Sequence, residues 1–125
     1  MLNIVLWIAQ VLLAFGFLSV GYSHAFNAEK MKAQRGMQWI GALPRWLMSF
    51  IGICEMAGGL GAILPAVTGI QPWLTPLAAA LLALVMLLAF VFHVVRREYP
   101  SLAINSILFL LAVFVAYGRI VLLPL

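Results

Sequence analysis

The stretch WLTPLAAALLALVMLLAFVFHVV, residues 73–95, runs from Trp73 to Val95 without one Asp, Glu, Lys or Arg. Roughly 20 apolar residues in a helix cross the hydrocarbon core of a bilayer, so this segment predicts a transmembrane helix. Pro72 and Pro76 sit around its start, where a helix tolerates a missing amide N–H. Arg96, Arg97 and Glu98 end it. Outward from it, three further stretches qualify by the same measure, giving four helices at about 2–26, 45–64, 73–95 and 101–123. Pro44 precedes the second and Pro65 closes it, Pro100 precedes the fourth, and Pro124 lies at its end.

The composition agrees. Of 125 residues, 66% are hydrophobic and 8% charged, against roughly half and about a quarter in a soluble domain. A chain this short has no core large enough to hide that apolar surface, so lipid is its solvent. The expected fold is an all-α membrane protein, one four-transmembrane-helix bundle over residues 1–125. The first stretch has no Lys or Arg before its apolar core and is too long for the h-region of a signal peptide, so it reads as a retained helix.

The net charge of +4 does not indicate nucleic acid. The basic residues fall between the apolar runs, and no basic face with interleaved aromatics is present. The first connection carries Glu29, Lys30, Lys32 and Arg35, the second is uncharged, and the third holds Arg96, Arg97 and Glu98. With Arg45, the first and third place six Lys/Arg on one side and leave Arg119 toward the other. The positive-inside rule puts those connections in the cytoplasm and both termini on the outer side. Trp46 and Tyr99 then mark the inner interface, and Trp7, Trp73 and Tyr117 the outer one. Met37, Trp39, Ile40 and Leu43 suit either a short helix at the inner surface or a plain loop.

Polar side chains in hydrocarbon turn toward the bundle interior, and helical positions three, four, seven and eleven apart share a face. Gln10, Ala14, Gly21 and His24 make one such stripe; Gly52, Glu55, Gly59 and Ala62 a second. Ala83, Met86, Phe90 and His93 form a third, and Ser101, Asn105, Leu108, Ala112 and Arg119 a fourth. The small residues among them allow close helix approach. At about 1.5 Å per residue, Glu55 lies roughly 15 Å from each end of its span. His24, His93 and Asn105 lie within about 8 Å of the inner boundary. Gln10 and Arg119 fall in the outer half. Arg119 has two readings: pairing with Glu55 across about 7 Å of depth, or reaching outward to lipid phosphates.

A carboxyl at mid-membrane is a functional candidate, so Glu55, His93, Asn105 and His24 are the expected ligand-binding residues. Each also has a reading as packing glue between helices. The lone Cys54 excludes a disulfide within the chain and reads as a small buried apolar residue. No Ser-His-Asp set, Walker loop, GxGxxG or cluster of metal ligands occurs, and the sequence has no aspartate. Any chemistry therefore takes place inside the bundle or on a partner.

Several segments together resemble the DoxX-like family of small bacterial membrane proteins. They are Gly21-Tyr22-Ser23-His24, Ile51 through Gly61 with its Glu55-Met56-Ala57-Gly58-Gly59 element, Pro72 through Ala79, Phe92-His93 followed by Arg96 through Pro100, and Asn105 with Ala116-Tyr117-Gly118-Arg119. The likeness covers nearly the whole chain. It implies a four-helix protein of the bacterial inner membrane. It also implies association with membrane redox complexes, because the family name comes from a subunit tied to quinone-linked oxidation of thiosulfate. One position departs: His24 stands where members often carry a lysine, so an anion held there would need a protonated imidazole.

Four functions compete. The first is a subunit of a quinone-linked oxidoreductase complex, holding a quinone or similar lipophilic molecule in the polar seam. Its electrons would come from a soluble or membrane redox partner, since the chain encodes no redox motif. The second is a non-enzymatic assembly or chaperone-like subunit. The third is a proton or small-solute transporter, which four short helices would build only as a homo-oligomer. The fourth, b-type haem between His24 and His93, ranks last because the resemblance does not imply haem.

Overall fold

A computed structural model of the chain describes residues 1–27 and 43–124. Glu29, Lys30, Lys32, Arg35, Met37, Trp39 and Ile40 lie outside the described residues. The described residues are helical with no strand. The helices are α1 (Leu2–Phe26), α2 (Arg45–Gly61), the short α3 (Leu64–Thr68), α4 (Leu74–Val95) and α5 (Tyr99–Tyr117), which continues as a π-helical turn over Gly118–Leu122. Four segments are long and apolar enough to cross a membrane: Leu2–Phe26, Arg45–Thr68, Leu74–Val95 and Leu102–Leu122. Only 28–39% of each apolar window is buried within the protein. Most of the hydrophobic side chains therefore face outward, which is stable only in lipid.

The helices pack as a ring. α1 lies against α2 and α4 against α5, and the two pairs meet through α1 with α5 and α2 with α4. At the centre sit Leu13, Phe17, Ala62, Ala79, Leu82, Met86, Ala112 and Val115. Three of the four expected stripes face this centre: Gln10, Ala14, Gly21 and His24; Gly52, Glu55, Gly59 and Ala62; and Asn105, Leu108, Ala112 and Arg119 are all buried, while the Ser101 side chain of the last stripe lies outside those described. The α4 stripe departs at Phe90, which is exposed while Ala83, Met86 and His93 are buried. In lipid an exposed phenyl ring carries no penalty, so burial there follows the polar and small residues.

Pro65 does not close the second span as expected. The helix breaks at Ala62 and Ile63 and resumes as α3, with Pro65 in its first turn. Proline lacks the N–H that would bond the carbonyl four residues back, here Gly61, and its ring crowds that carbonyl. A carbonyl freed inside a bilayer must find a donor. The Thr75 hydroxyl donates to Gly61 O at 3.1 Å, and the Gln10 amide donates to Ala62 O at 2.8 Å. The break is thus sealed by two side chains from neighbouring helices.

The turn from α4 to α5 is tight. Glu98 N–H donates to His93 O at 2.9 Å and Arg97 N–H to Val94 O at 3.1 Å, the two bonds of a Schellman closure. Arg97 adopts φ 58° there, a left-handed conformation that normally falls to glycine. At the far end of α5, Leu123 N–H donates to Gly118 O at 2.7 Å. This wider turn carries Arg119 inward, where it is 3% exposed.

Candidate functional site

α1 and α2 are antiparallel and nearly touch. A Cβ on Gly21 would meet Gly52 O at 2.6 Å, and one on Gly59 would meet Ala14 O at 3.2 Å. Helical side chains lean toward the N-terminus of their own helix. In an antiparallel pair, His24 and Glu55 therefore lean toward each other. The His24 ring bonds Glu55 through Nδ1 and Oε1 at 2.7 Å, and both side chains are buried. The closeness of the glycines and the lean of the side chains together bring the imidazole onto the carboxyl.

Asn105 reaches the same height from the other side of α1. A Cβ on Gly16 would meet the Leu108 side chain at 3.2 Å. One turn along α5 from Leu108, Asn105 levels with about Val20. Glu55 is at that height too, because Gly21 packs against Met56. The Asn105 amide nitrogen is buried without a hydrogen-bond partner. A buried, unsatisfied donor is costly, on the order of 1–3 kcal/mol, and it identifies a place where an acceptor belongs.

His93, expected in the same seam, is buried but stands apart. Gly58 packs on Leu82, which puts Glu55 level with about Met86 and His93 about two turns, ~11 Å, farther along α4. His93 Nδ1 pairs with Glu98 Oε1 at 2.9 Å, and Arg96 Nε donates to the same oxygen at 3.1 Å. Sequence reading gave Glu98 no role beyond topology. The Schellman closure brings it back over His93, and a helix-stop pattern of His-x-x-Arg-Arg-Glu carries that signal.

Arg119 and Gln10 come together at the end of the bundle where both α1 begins and α5 ends. Arg119 Nε donates to Gln10 Oε1 at 2.8 Å. Its Nη1 donates to Asn3 Oδ1 at 3.0 Å and to Leu123 O at 3.2 Å, and the guanidinium lies over the Trp7 ring at 5.6 Å. Glu55, one expected partner, is bonded to His24 instead, and the Arg119 side chain turns inward rather than reaching out of the bundle. Asn3 was missed, although Asn3, Gln10, Phe17 and His24 recur every seven residues. Cys54 was expected to be buried and is exposed; it follows the outward face of α2 next to Glu55, and lipid accepts a thiol as readily as a core does. Among the described residues, no three His, Cys, Asp or Glu side chains converge to hold a metal ion.

A four-span bundle with its ionisable groups paired inside defines an integral membrane protein of the multi-pass class. The profile of the DoxX-like family matches residues 8–115, and the chain belongs to that family. No curated protein and no solved structure matches it.

Proposed function

We propose that this DoxX-like protein is a membrane subunit of a redox assembly that binds a quinone, or a like lipophilic carbonyl compound, beside His24, Glu55 and Asn105. One observation carries the reading: a buried imidazole–carboxylate pair at the same height as a buried amide donor with no partner. A quinone there would take two electrons from a partner protein and two protons from the chain. Asn105 donates a hydrogen bond to a carbonyl oxygen and orients it. His24 delivers a proton, and Glu55 holds the imidazole through Nδ1 and restores its charge state. His93 and Glu98, with Arg96 donating to Glu98 Oε1 and holding it in place, lie nearer the α4–α5 turn, and the two of them relay protons toward the seam.

The same reading places the protein in a bacterial inner membrane. Arg45, Arg96 and Arg97 are exposed at the end opposite Asn3 and Arg119, which supports reading that end as the cytoplasmic one by the positive-inside rule.

The test is extraction and titration. The wild-type chain purified from its native membrane yields quinone in organic extracts, and it binds a decyl-substituted benzoquinone saturably. Asn105→Leu weakens that binding at least tenfold and does not lower the thermal unfolding midpoint, because its amide nitrogen is buried with no bond to lose. Absence of quinone from extracts, together with no saturable binding, sinks the reading. An assembly role rests on the His24–Glu55 bond joining two helices at their closest crossing. It would show as lost folding in Glu55→Ala with no binding to lose.

A further inference from the structure

Beyond the seam, we infer a second site at the end of the bundle that carries the chain termini: a pocket for an oxyanion attached to an apolar body. Two independent observations meet there. The first is Arg119, 3% exposed, with Nε and Nη1 bonded to neutral oxygens and Nη2 buried without a partner. The second is a cavity of about 320 Å³ lined by Pro72, Trp73, Pro76, Arg119, Ile120 and Pro124.

The charge balance points to an anion. Gln10 Oε1, Asn3 Oδ1 and Leu123 O are all uncharged acceptors. The two carboxylates among the described residues, Glu55 and Glu98, are bonded to His24 and to His93 with Arg96. A buried cation without a counter-charge is strongly disfavoured. Arg119 lines the cavity, so an oxyanion seated there would supply the counter-charge, with a charge-assisted bond formed once the guanidinium turns Nη2 toward it. Apart from Arg119, the lining is apolar, with Trp73 and the three prolines giving flat rigid walls. A bare hydrated ion would be desolvated there without compensation, whereas a carboxylate or phosphate on a hydrocarbon chain would fill the walls and the head position at once. Such an anion comes either from a lipid headgroup or from a free amphiphile.

The full chain in a neutral maltoside detergent is titrated with dodecyl phosphate, inorganic phosphate and dodecanol, and binding is followed by calorimetry. Dodecyl phosphate is expected to bind saturably, and the other two at least tenfold more weakly. Arg119→Gln, with folding verified by circular dichroism, loses more than tenfold in affinity for dodecyl phosphate. Should that variant fail to fold, Trp73→Ala removes one wall while leaving Arg119 in place and is expected to weaken binding severalfold. Native mass spectrometry of the chain from phosphatidylglycerol nanodiscs separates the sources. A retained phospholipid displaced by dodecyl phosphate identifies the headgroup, and dodecyl phosphate binding without a retained lipid identifies a free amphiphile. Equal binding of dodecanol and dodecyl phosphate overturns the site, as does undiminished binding in Arg119→Gln or, if only that variant folds, in Trp73→Ala. None of these readouts depends on quinone binding in the seam.

Discussion

Gly21 and Gly52 approach so closely that neither position has room for a side chain. A Cβ on Gly52 would lie 2.5 Å from Gly21 O and 2.5 Å from Ala25 N, both backbone atoms. Nothing flexible can yield, so Gly52→Ala forces α1 and α2 apart and pulls His24 away from Glu55. Overpacking of this kind costs about 1–3 kcal/mol. Gly16→Ala is the control, since its Cβ meets only the flexible end of Leu108, at 3.2 Å. Unfolding in mixed detergent–dodecyl sulfate micelles should rank Gly52→Ala well below Gly16→Ala. Equal stability would show that the crossing does not need its glycines.

The His24–Glu55 bond is expected to behave as a unit. Removing either partner breaks a bond between two buried side chains, and taking His24 away from the buried Glu55 carboxyl costs about 3–5 kcal/mol. Replacing both with apolar residues leaves no orphan. His24→Leu and Glu55→Leu should each destabilise the chain strongly, while the double variant recovers most of the loss. A double-mutant cycle by the same unfolding assay measures this, and additive effects would show that the two side chains act separately.

What the sequence disclosed and what it hid divide along physical lines. The spans and their inward stripes were readable because hydrocarbon penalises polar groups so heavily that composition alone fixes which face turns inward. Gln10, His24, Glu55, Asn105 and Arg119 are all buried for that reason. Pairing was not readable. Depth along the spans suggested Glu55 with Arg119, across about 7 Å of rise, and one inner cluster with His93, but pairing depends on which helices are ring neighbours and on which way each side chain leans. Phe90 and Cys54 were misjudged because in lipid an apolar residue gains nothing by turning inward. The break at Pro65 was anticipated as an end, yet only the positions of Thr75 and Gln10 reveal that the chain continues past it.

Pro65 and Thr75 are coupled through Gly61 O. In the native chain that carbonyl has no helical donor four residues on and takes the Thr75 hydroxyl instead. Thr75→Val should therefore cost about 1–3 kcal/mol, the penalty of an orphaned buried carbonyl. Pro65→Ala restores an N–H able to bond Gly61 O. In that background Thr75→Val should cost less than half as much. The comparison of four unfolding midpoints checks it. An equal cost in both backgrounds would mean that the hydroxyl does not substitute for the missing backbone donor.

Arg97 holds the α4–α5 turn at φ 58°, where a side chain bearing a Cβ is disfavoured by about 1–2 kcal/mol. Glycine removes that penalty but adds freedom to the unfolded chain, which offsets about half of it. Arg97→Gly should therefore raise stability by about 0.5–1 kcal/mol. The Schellman bonds use the backbone of Glu98 and Arg97, so they survive the change. Glu98 stays over His93 and Arg96, and proton delivery toward the seam is unaffected. A higher unfolding midpoint with unchanged decyl-benzoquinone binding is the expected result. A lower midpoint would mean that the Arg97 side chain, exposed at this turn, contributes more to the membrane-bound fold than its backbone strain costs.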